Sequence, residues 1–402
     1  MNSHLVKIVI GSNYGDEGKG LMTDYFCNKN KKYGQVLNIC SNGGAQRGHT
    51  VETLDGKRHV FHHFGSGTFA GAVTYLSNQY IINPIIFCQE YFELAEMGYH
   101  PVVYVNPKCR ITTPYDIWLN RLKEISRGDK RHGSCGLGIW ETIKRNNTEY
   151  KFNICDCNAE PNLRNKIQEL LDINKDYFLK QATKNNLEID NDILSNPNFL
   201  SHYIDDFCYM MNHIIISDVS EIIQNYPSIV IENAQGLLLD GSIKSVHTTP
   251  TQTGICNIFD SLQNIDFSKL AVEACYVTRP YLTRHGAGEF PTECDVNQIS
   301  HTVDISKNDL TNLPNDFQGE IRYGKINLHK LSERIKSDMQ KAYKIYPESV
   351  NSWVISSAVT HLNETNGFFC CNDKSYKDDE FLDLIYKSYG RTKESVSTFY
   401  NK

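Results

Sequence analysis

Nowhere in its 402 residues does the chain hold the run of about 18 or more apolar residues that a membrane-spanning helix needs. Its N-terminus lacks the charged, apolar, small-residue order of a secretory signal and runs straight into a strand-like segment. There is no basic excess: 41 Lys and Arg stand against 47 Asp and Glu, a formal net charge of -6. A sequence-independent polynucleotide binder usually carries such an excess, so nucleic acid is excluded as the main partner. A local basic cleft for a small phosphate ligand stays open. The thirteen cysteines include no CxxC pair, and no histidine partner stands at zinc spacing. Cysteines of this kind, with no secretory signal, point to free thiols in a reducing cytosol. Internal repeats and low-complexity tracts are also missing. Hydrophobic residues at 40% and charged residues at 22% exclude a disordered, collagenous or coiled-coil chain.

What is there reads as α/β. Residues 6–10 (Val6, Ile8, Val9 and Ile10 among them) form a short β-branched run that suits a buried strand. A glycine-rich turn follows at 11–20, then helical spacing of apolar residues at 21–28. Further strands are expected at 35–39, 228–231, 270–277 and 353–356. The polar loops 41–50, 232–236, 281–293 and 360–363 follow them. This order predicts a mainly parallel central sheet flanked by helices, with the ligand site at the carboxyl ends of the strands. Residues 146–211, rich in Asn, Asp, Lys and Leu, read as a helical insertion. No linker divides the chain, so residues 1–402 are expected to form one domain.

The turn at 11–20 reads GSNYGDEGKG. Glycines let backbone amides approach a phosphate, a helix N-terminus favours an anion, and Lys19 can neutralise a phosphoryl oxygen. It is not a standard Walker loop, because Gly20 replaces the hydroxyl residue that would hold magnesium. Asp16 could supply an oxygen ligand instead, or accept a proton from a substrate.

The segment GDEGKG at 15–20 resembles the signature loop of the adenylosuccinate synthetase family. Further blocks agree in order: GGAQRGHT at 43–50, GSCGLGI at 133–139, ENAQGLLLD at 232–240 and TRHGAGEFPTE at 283–293. The resemblance covers most of residues 1–293 and weakens beyond. It implies a fold related to GTP-binding proteins. It implies a cytoplasmic ligase, usually a homodimer, that joins aspartate to a purine nucleoside monophosphate using a nucleoside triphosphate and Mg2+. In the family, the purine 6-oxygen is phosphorylated and then displaced by the amine. By resemblance Asp16 takes the purine N1 proton and, with the Gly48 carbonyl, holds the metal. His49 serves the transferring phosphoryl group, and Gln235 positions the purine. Gly15, Glu17, Gly18, Lys19, Gly20, Thr50, His361, Asn363 and Gly390 would contact the triphosphate, with residues 388–392 near its base. Gln46, Cys135 and Thr249 would contact the purine nucleotide, and Arg322 the amino acid. Arg145 is the nearest counterpart of the arginine that reaches a partner subunit's nucleotide.

Four departures bear on substrate choice. Leu21 stands where the family has lysine. Ala45, Gln46 and Arg47 replace a His-Asn-Ala loop, and Cys135 replaces a threonine. The arginine run that clamps aspartate is reduced to Arg322 in FQGEIRYG at 317–324; losing bidentate guanidinium contacts is not a conservative change. Asn363, in THLN at 360–363, replaces the aspartate that selects guanine, and an amide can both donate and accept. The donor is therefore GTP or ATP. Two alternatives follow: a phage-type enzyme acting on dGMP with ATP or dATP, and a nucleotide-binding regulator without ligase activity.

Overall fold

The computed structural model describes residues 4–128, 131–190, 197–243, 245, 247–263, 265–267, 270–300, 305, 319–350, 352–371, 375–377 and 386–399. Ten strands form the central sheet: β1 Leu5–Gly11, β2 Val36–Cys40, β3 Val73–Leu76, β4 Val103–Val105, β5 Ile215–Ile216, β6 Ser228–Gly236, β7 Ala271–Thr278, β8 Val354–Val359, β9 Tyr386–Ser388 and β10 Val396–Thr398. Their order across the sheet is β10-β9-β8-β7-β1-β6-β2-β3-β4-β5. Every neighbouring pair is parallel except β9 with β10. All five expected strands belong to this sheet. The other five are short and were not evident in the sequence.

β1 lies at the centre, and its alternation divides the core. Val6, Ile8 and Ile10 join a cluster on one face with Ile255 and Ile258 of helix Ile255–Ser261 and Leu331 and Ile335 of helix Leu328–Ile345. Val9 points to the opposite face, as the period of two requires, and packs with Met22 and Phe26 of helix α1, Lys19–Asn30. Full burial of Phe26 is worth roughly 1.5–3 kcal/mol and holds α1 against the sheet. A third cluster lies beyond β3 and β4 and takes in helices Pro84–Glu96, Pro114–Arg127, Leu163–Lys184 and Pro197–Met211. The last two fall within the segment read as a helical insertion, and bury Ile167, Leu171, Phe178, Tyr203 and Phe207.

The loop expected at 232–236 is instead strand. These residues continue β6, all buried, with Gly236 paired to Gly11 beyond a register shift. Their polar side chains are tolerated inside because each finds partners there, as the site shows.

Candidate active site

β1 ends at Gly11 and α1 begins at Lys19, so residues 12–18 form the turn between them. Gly18 holds the N-cap position at φ 84, and no side chain caps the helix. The first amides of α1 are thus open to an anion, and the helix dipole favours one there. The turn is pinned from the neighbouring strand ends. Arg279 Nε donates to the Asp16 carbonyl, Thr283 Oγ1 to the Gly15 carbonyl (3.2 Å) and Thr360 Oγ1 to the Glu17 carbonyl (2.8 Å). Asp16 itself is held at φ 56, a conformation L residues adopt with strain. Its Oδ2 lies 3.3 Å from His285 Nε2. Gly20 has its own reason: a Cβ there would meet the Thr50 carbonyl at 2.6 Å, so the residue after Lys19 cannot carry a hydroxyl.

Glu17 turns inward. Its carboxylate accepts from the Asn13 amide and lies 3.5 Å from Lys19 Nζ. Burial pushes its carboxyl above the usual range, against Lys19 and the Asn13 amide, which favour the charged form. The Glu17 side chain is thus turned to Asn13 and holds Lys19 beside the turn.

His49 begins the hairpin His49–Glu52/Arg58–Phe61 and reaches back to β6. Its Nδ1 lies 3.1 Å from Glu232 Oε2 and its Nε2 3.2 Å from the Ala234 carbonyl. Burial pushes the imidazole down to about 4, against the pull of Glu232. A neutral ring gives its one proton to the carboxylate, the stronger acceptor, so Nε2 carries none. A proton gained at Nε2 would turn the Ala234 contact into a hydrogen bond. Burial alone would raise Glu232. Arg47, His49 and Ser66 instead hold it well below the carboxylate range. Arg47 Nη1 donates to Glu232 (2.8 Å) and to Cys40 Sγ (2.9 Å), Nε donates to the His62 carbonyl (2.9 Å), and Nη2 to the Phe64 carbonyl. Ser66 adds its amide (3.0 Å) and hydroxyl (2.7 Å). Arg47 thus supports His49 from within, and it also forms part of the cavity wall.

These groups converge on one cavity of about 650 Å³ at the carboxyl edge of the sheet. Of the residues nominated from sequence, 15–20, Gln46, Gly48, His49, Thr50, Cys135, Gln235, Thr249, His361 and Gly390 line it. Gln235 Oε1 accepts from Thr251 Oγ1 at 2.7 Å, which leaves its amide nitrogen for a ligand. Both amide atoms of Gln46 are buried with no hydrogen-bond partner among the described residues, as expected of a group that meets a ligand. The Thr249 hydroxyl is spent locally on the Leu239 carbonyl (2.7 Å). Burial raises the Cys135 thiol. Burial also lowers His361, whose Nδ1 lies 2.7 Å from Thr360 Oγ1.

Three nominated residues lie elsewhere. Asn363 is exposed and outside the cavity lining. Arg322 sits in strand Arg322–Gly324, paired with Glu293 Oε2 at 2.8 Å, and is also outside the lining. Residues 317 and 318, which begin its segment, lie outside the described residues. Arg145 is wholly buried in its own chain, where Nε lies 2.9 Å from Asp116 Oδ1 and the guanidinium also donates to the Ile111 and Tyr150 carbonyls. It cannot reach a second subunit. Sequence reasoning missed His285, Arg279 and Glu364, which line the cavity, whereas Arg391, also in the lining, falls within the segment 388–392 expected near the base. His285 lies inside the longest matching block, and Arg279 directly follows β7, where ligand residues are expected.

No helix among the described residues is long and apolar enough to cross a membrane. The family model described as adenylosuccinate synthetase matches residues 8–315. The adenylosuccinate synthetase of Limosilactobacillus reuteri is 27% identical over 296 residues, 71% of this chain and 64% of that protein. The chain spans 64–65% of the length of the curated relatives of this kind that it matches first. The fully ligated adenylosuccinate synthetase of Plasmodium falciparum shares the fold at TM-score 0.71 and 18% identity, over 99% of this chain and 100% of that one. The succinoaminodeoxyadenylate synthetase of cyanophage S-2L, bound to dGMP and to dATP as an energy donor, shares it at TM-score 0.61 and 13% identity, over 98% and 95%.

Proposed function

The chain belongs to the adenylosuccinate synthetase family, and on that premise we propose that it joins aspartate to C6 of an IMP-like 6-oxopurine nucleoside monophosphate. The energy comes from a nucleoside triphosphate through a 6-phosphoryl intermediate. One observation carries the proposal: Asp16, Lys19, His49 and Gln235, from three separate segments, line one cavity at the carboxyl edge of the sheet. Phosphoryl transfer needs positioning and charge neutralisation more than covalent chemistry, and these residues supply both. The open amides of α1 and Lys19 hold phosphate oxygens. Asp16 takes the N1 proton of the purine, which puts charge on the 6-oxygen. Gln235 offers its amide N–H to the purine side. His49, fixed by Glu232 at Nδ1, lines the cavity and serves the transferring group once Nε2 leaves the Ala234 carbonyl.

The residues present fit Mg2+. Among the described residues no three His, Cys, Asp or Glu cluster to hold a metal on their own. Asp16 and Gly48 both line the cavity, and Mg2+ is commonly held by one or two carboxylates with substrate phosphates. When bound, the ion would neutralise charge between the phosphates. Aspartate as the amine rests on family membership, since Arg322 is paired with Glu293. A homodimer and a cytoplasmic location are proposed on the same ground.

A second reading has one observation in its favour. Leu21, where the family carries lysine, lines the cavity, as a phage-type enzyme acting on dGMP with ATP or dATP would allow. The retained Asp16 favours a 6-oxopurine with a removable N1 proton. The test is a substrate matrix with purified protein: IMP, dIMP, GMP or dGMP with aspartate, Mg2+ and GTP or ATP, with phosphate release and product mass read together. An aspartyl adduct on IMP supports the proposal. An adduct only on dGMP moves the protein to the second reading. Silence across the matrix leaves a nucleotide-binding regulator.

A further inference from the structure

α1 does more than begin the phosphate loop. One turn past Lys19 it carries Asp24, which has no exposed surface, and Asp24 Oδ2 lies 3.0 Å from Lys393 Nζ. Lys393 belongs to the last described segment, between β9 and β10. Just before it, Gly390 and Arg391 line the cavity. Thr392 forms a backbone bridge with Glu52, and Arg391 Nη1 lies 3.7 Å from Glu52 Oε1. Residues 390–393 are thus tied on one side to the helix of the phosphate loop. On the other side they are tied to the hairpin that carries His49.

The arrangement is poor as a stability device. Asp24 Oδ1 and the neighbouring Thr23 hydroxyl are buried with no hydrogen-bond partner among the described residues. A buried ion pair with an unsatisfied oxygen returns little of its desolvation cost, so stability alone gives no reason for this carboxylate. Its position gives one. A single rigid helix holds both the phosphate end of the cavity and the segment at its rim.

We infer that Asp24 and Lys393 form a latch that positions residues 390–392 over the nucleoside triphosphate and so sets its affinity. This rests on the reading that the triphosphate lies on residues 15–20. Both are positioning residues, since neither lines the cavity. The latch also responds to pH. Burial pushes Asp24 up to about 6, against Lys393. The other charged groups that act on it are Glu394 on the same segment as Lys393 and Lys31 beyond the end of α1. Below pH 6 the carboxyl takes a proton and Lys393 loses its partner. The fold does not suffer from that step. An acid whose pKa rises on folding binds its proton more tightly when folded, so this group favours folding as pH falls toward its ordinary range.

The test is direct binding of N-methylanthraniloyl GTP and ATP, by fluorescence and without turnover. Wild type, Lys393→Met, Lys393→Arg and Asp24→Asn are compared at pH 7.5 and 5.5, with IMP binding and melting temperature alongside. At pH 7.5, Lys393→Met and Asp24→Asn should weaken triphosphate binding by about tenfold, the scale of one charge-assisted contact, and leave IMP within about twofold. Lys393→Arg should restore most of it. From pH 7.5 to 5.5 the wild type should approach the affinity of Asp24→Asn. Equal triphosphate binding by wild type and Lys393→Met would overturn the latch alone. So would a parallel loss of triphosphate, IMP and melting temperature that arginine does not rescue. A wild type that binds neither triphosphate would overturn the reading of the cavity and the latch with it.

Discussion

Replacing Arg47 with methionine removes a cation that is 2% exposed and bonded to Glu232, Cys40 and the His62 and Phe64 carbonyls. The Glu232 carboxylate, with no exposed surface, then keeps only His49, Cys40 and Ser66. Breaking a buried ion pair by removing one partner costs about 3–5 kcal/mol, because the remaining charge is stranded. At about 2.1 cal/mol/K per residue, 402 residues give an unfolding entropy of about 0.8 kcal/mol/K. The expected loss is therefore roughly 4–6 °C in melting temperature. Glu232→Gln alone strands Arg47 and should cost a comparable amount. The double variant carries no buried charge at this place, so it should recover about 2 kcal/mol over the sum of the singles. Chemical denaturation of all four proteins measures the cycle. Strict additivity would refute the claim that Arg47 and Glu232 act as one unit behind His49.

Gly20→Ala puts a methyl 2.6 Å from the Thr50 carbonyl, on backbone that cannot move without the hairpin of His49. It should cost about 1–3 kcal/mol of stability and lower kcat/KM more than tenfold, by denaturation and steady-state kinetics. Asp16→Asn keeps the shape and loses the base, so kcat should fall about 10²- to 10⁴-fold while binding of a fluorescent triphosphate persists. A fall under tenfold would remove Asp16 from its proposed role. Burial pushes Asp338, which accepts from the Tyr276 hydroxyl at 2.7 Å, up to about 6. Its pKa is higher folded than unfolded, so wild type should gain about 1 kcal/mol on Asp338→Asn between pH 7.5 and 5. A pH-independent gap would show that Asp338 titrates normally.

The longer strands were legible because burial on both faces leaves a simple trace, an apolar β-branched run such as Val6 to Ile10. β5, two residues long, has no pattern to read and exists because β4 offers it a pairing edge. The polar end of β6 misled for a related reason. Glu232 looks like a loop residue until Arg47 and His49, far off in sequence, are brought against it. The same distance hid the role of Arg47, which sequence alone placed in a ligand loop. Ordered motif blocks located the cavity well, since most nominated residues line it. They did not show where individual side chains point. Arg322 faces Glu293, Asn363 faces solvent, and Arg145 closes on Asp116 within its own subunit.

The central claim is that the purine oxygen leaves as phosphate. IMP labelled with 18O at the 6-position, incubated with the protein, aspartate, Mg2+ and the triphosphate, tests it in one mass spectrum. The account predicts that the label appears in the released phosphate, in step with an aspartyl adduct that has lost it. Unlabelled phosphate, with the 18O still on the purine, would mean simple hydrolysis of the triphosphate and would contradict the 6-phosphoryl route.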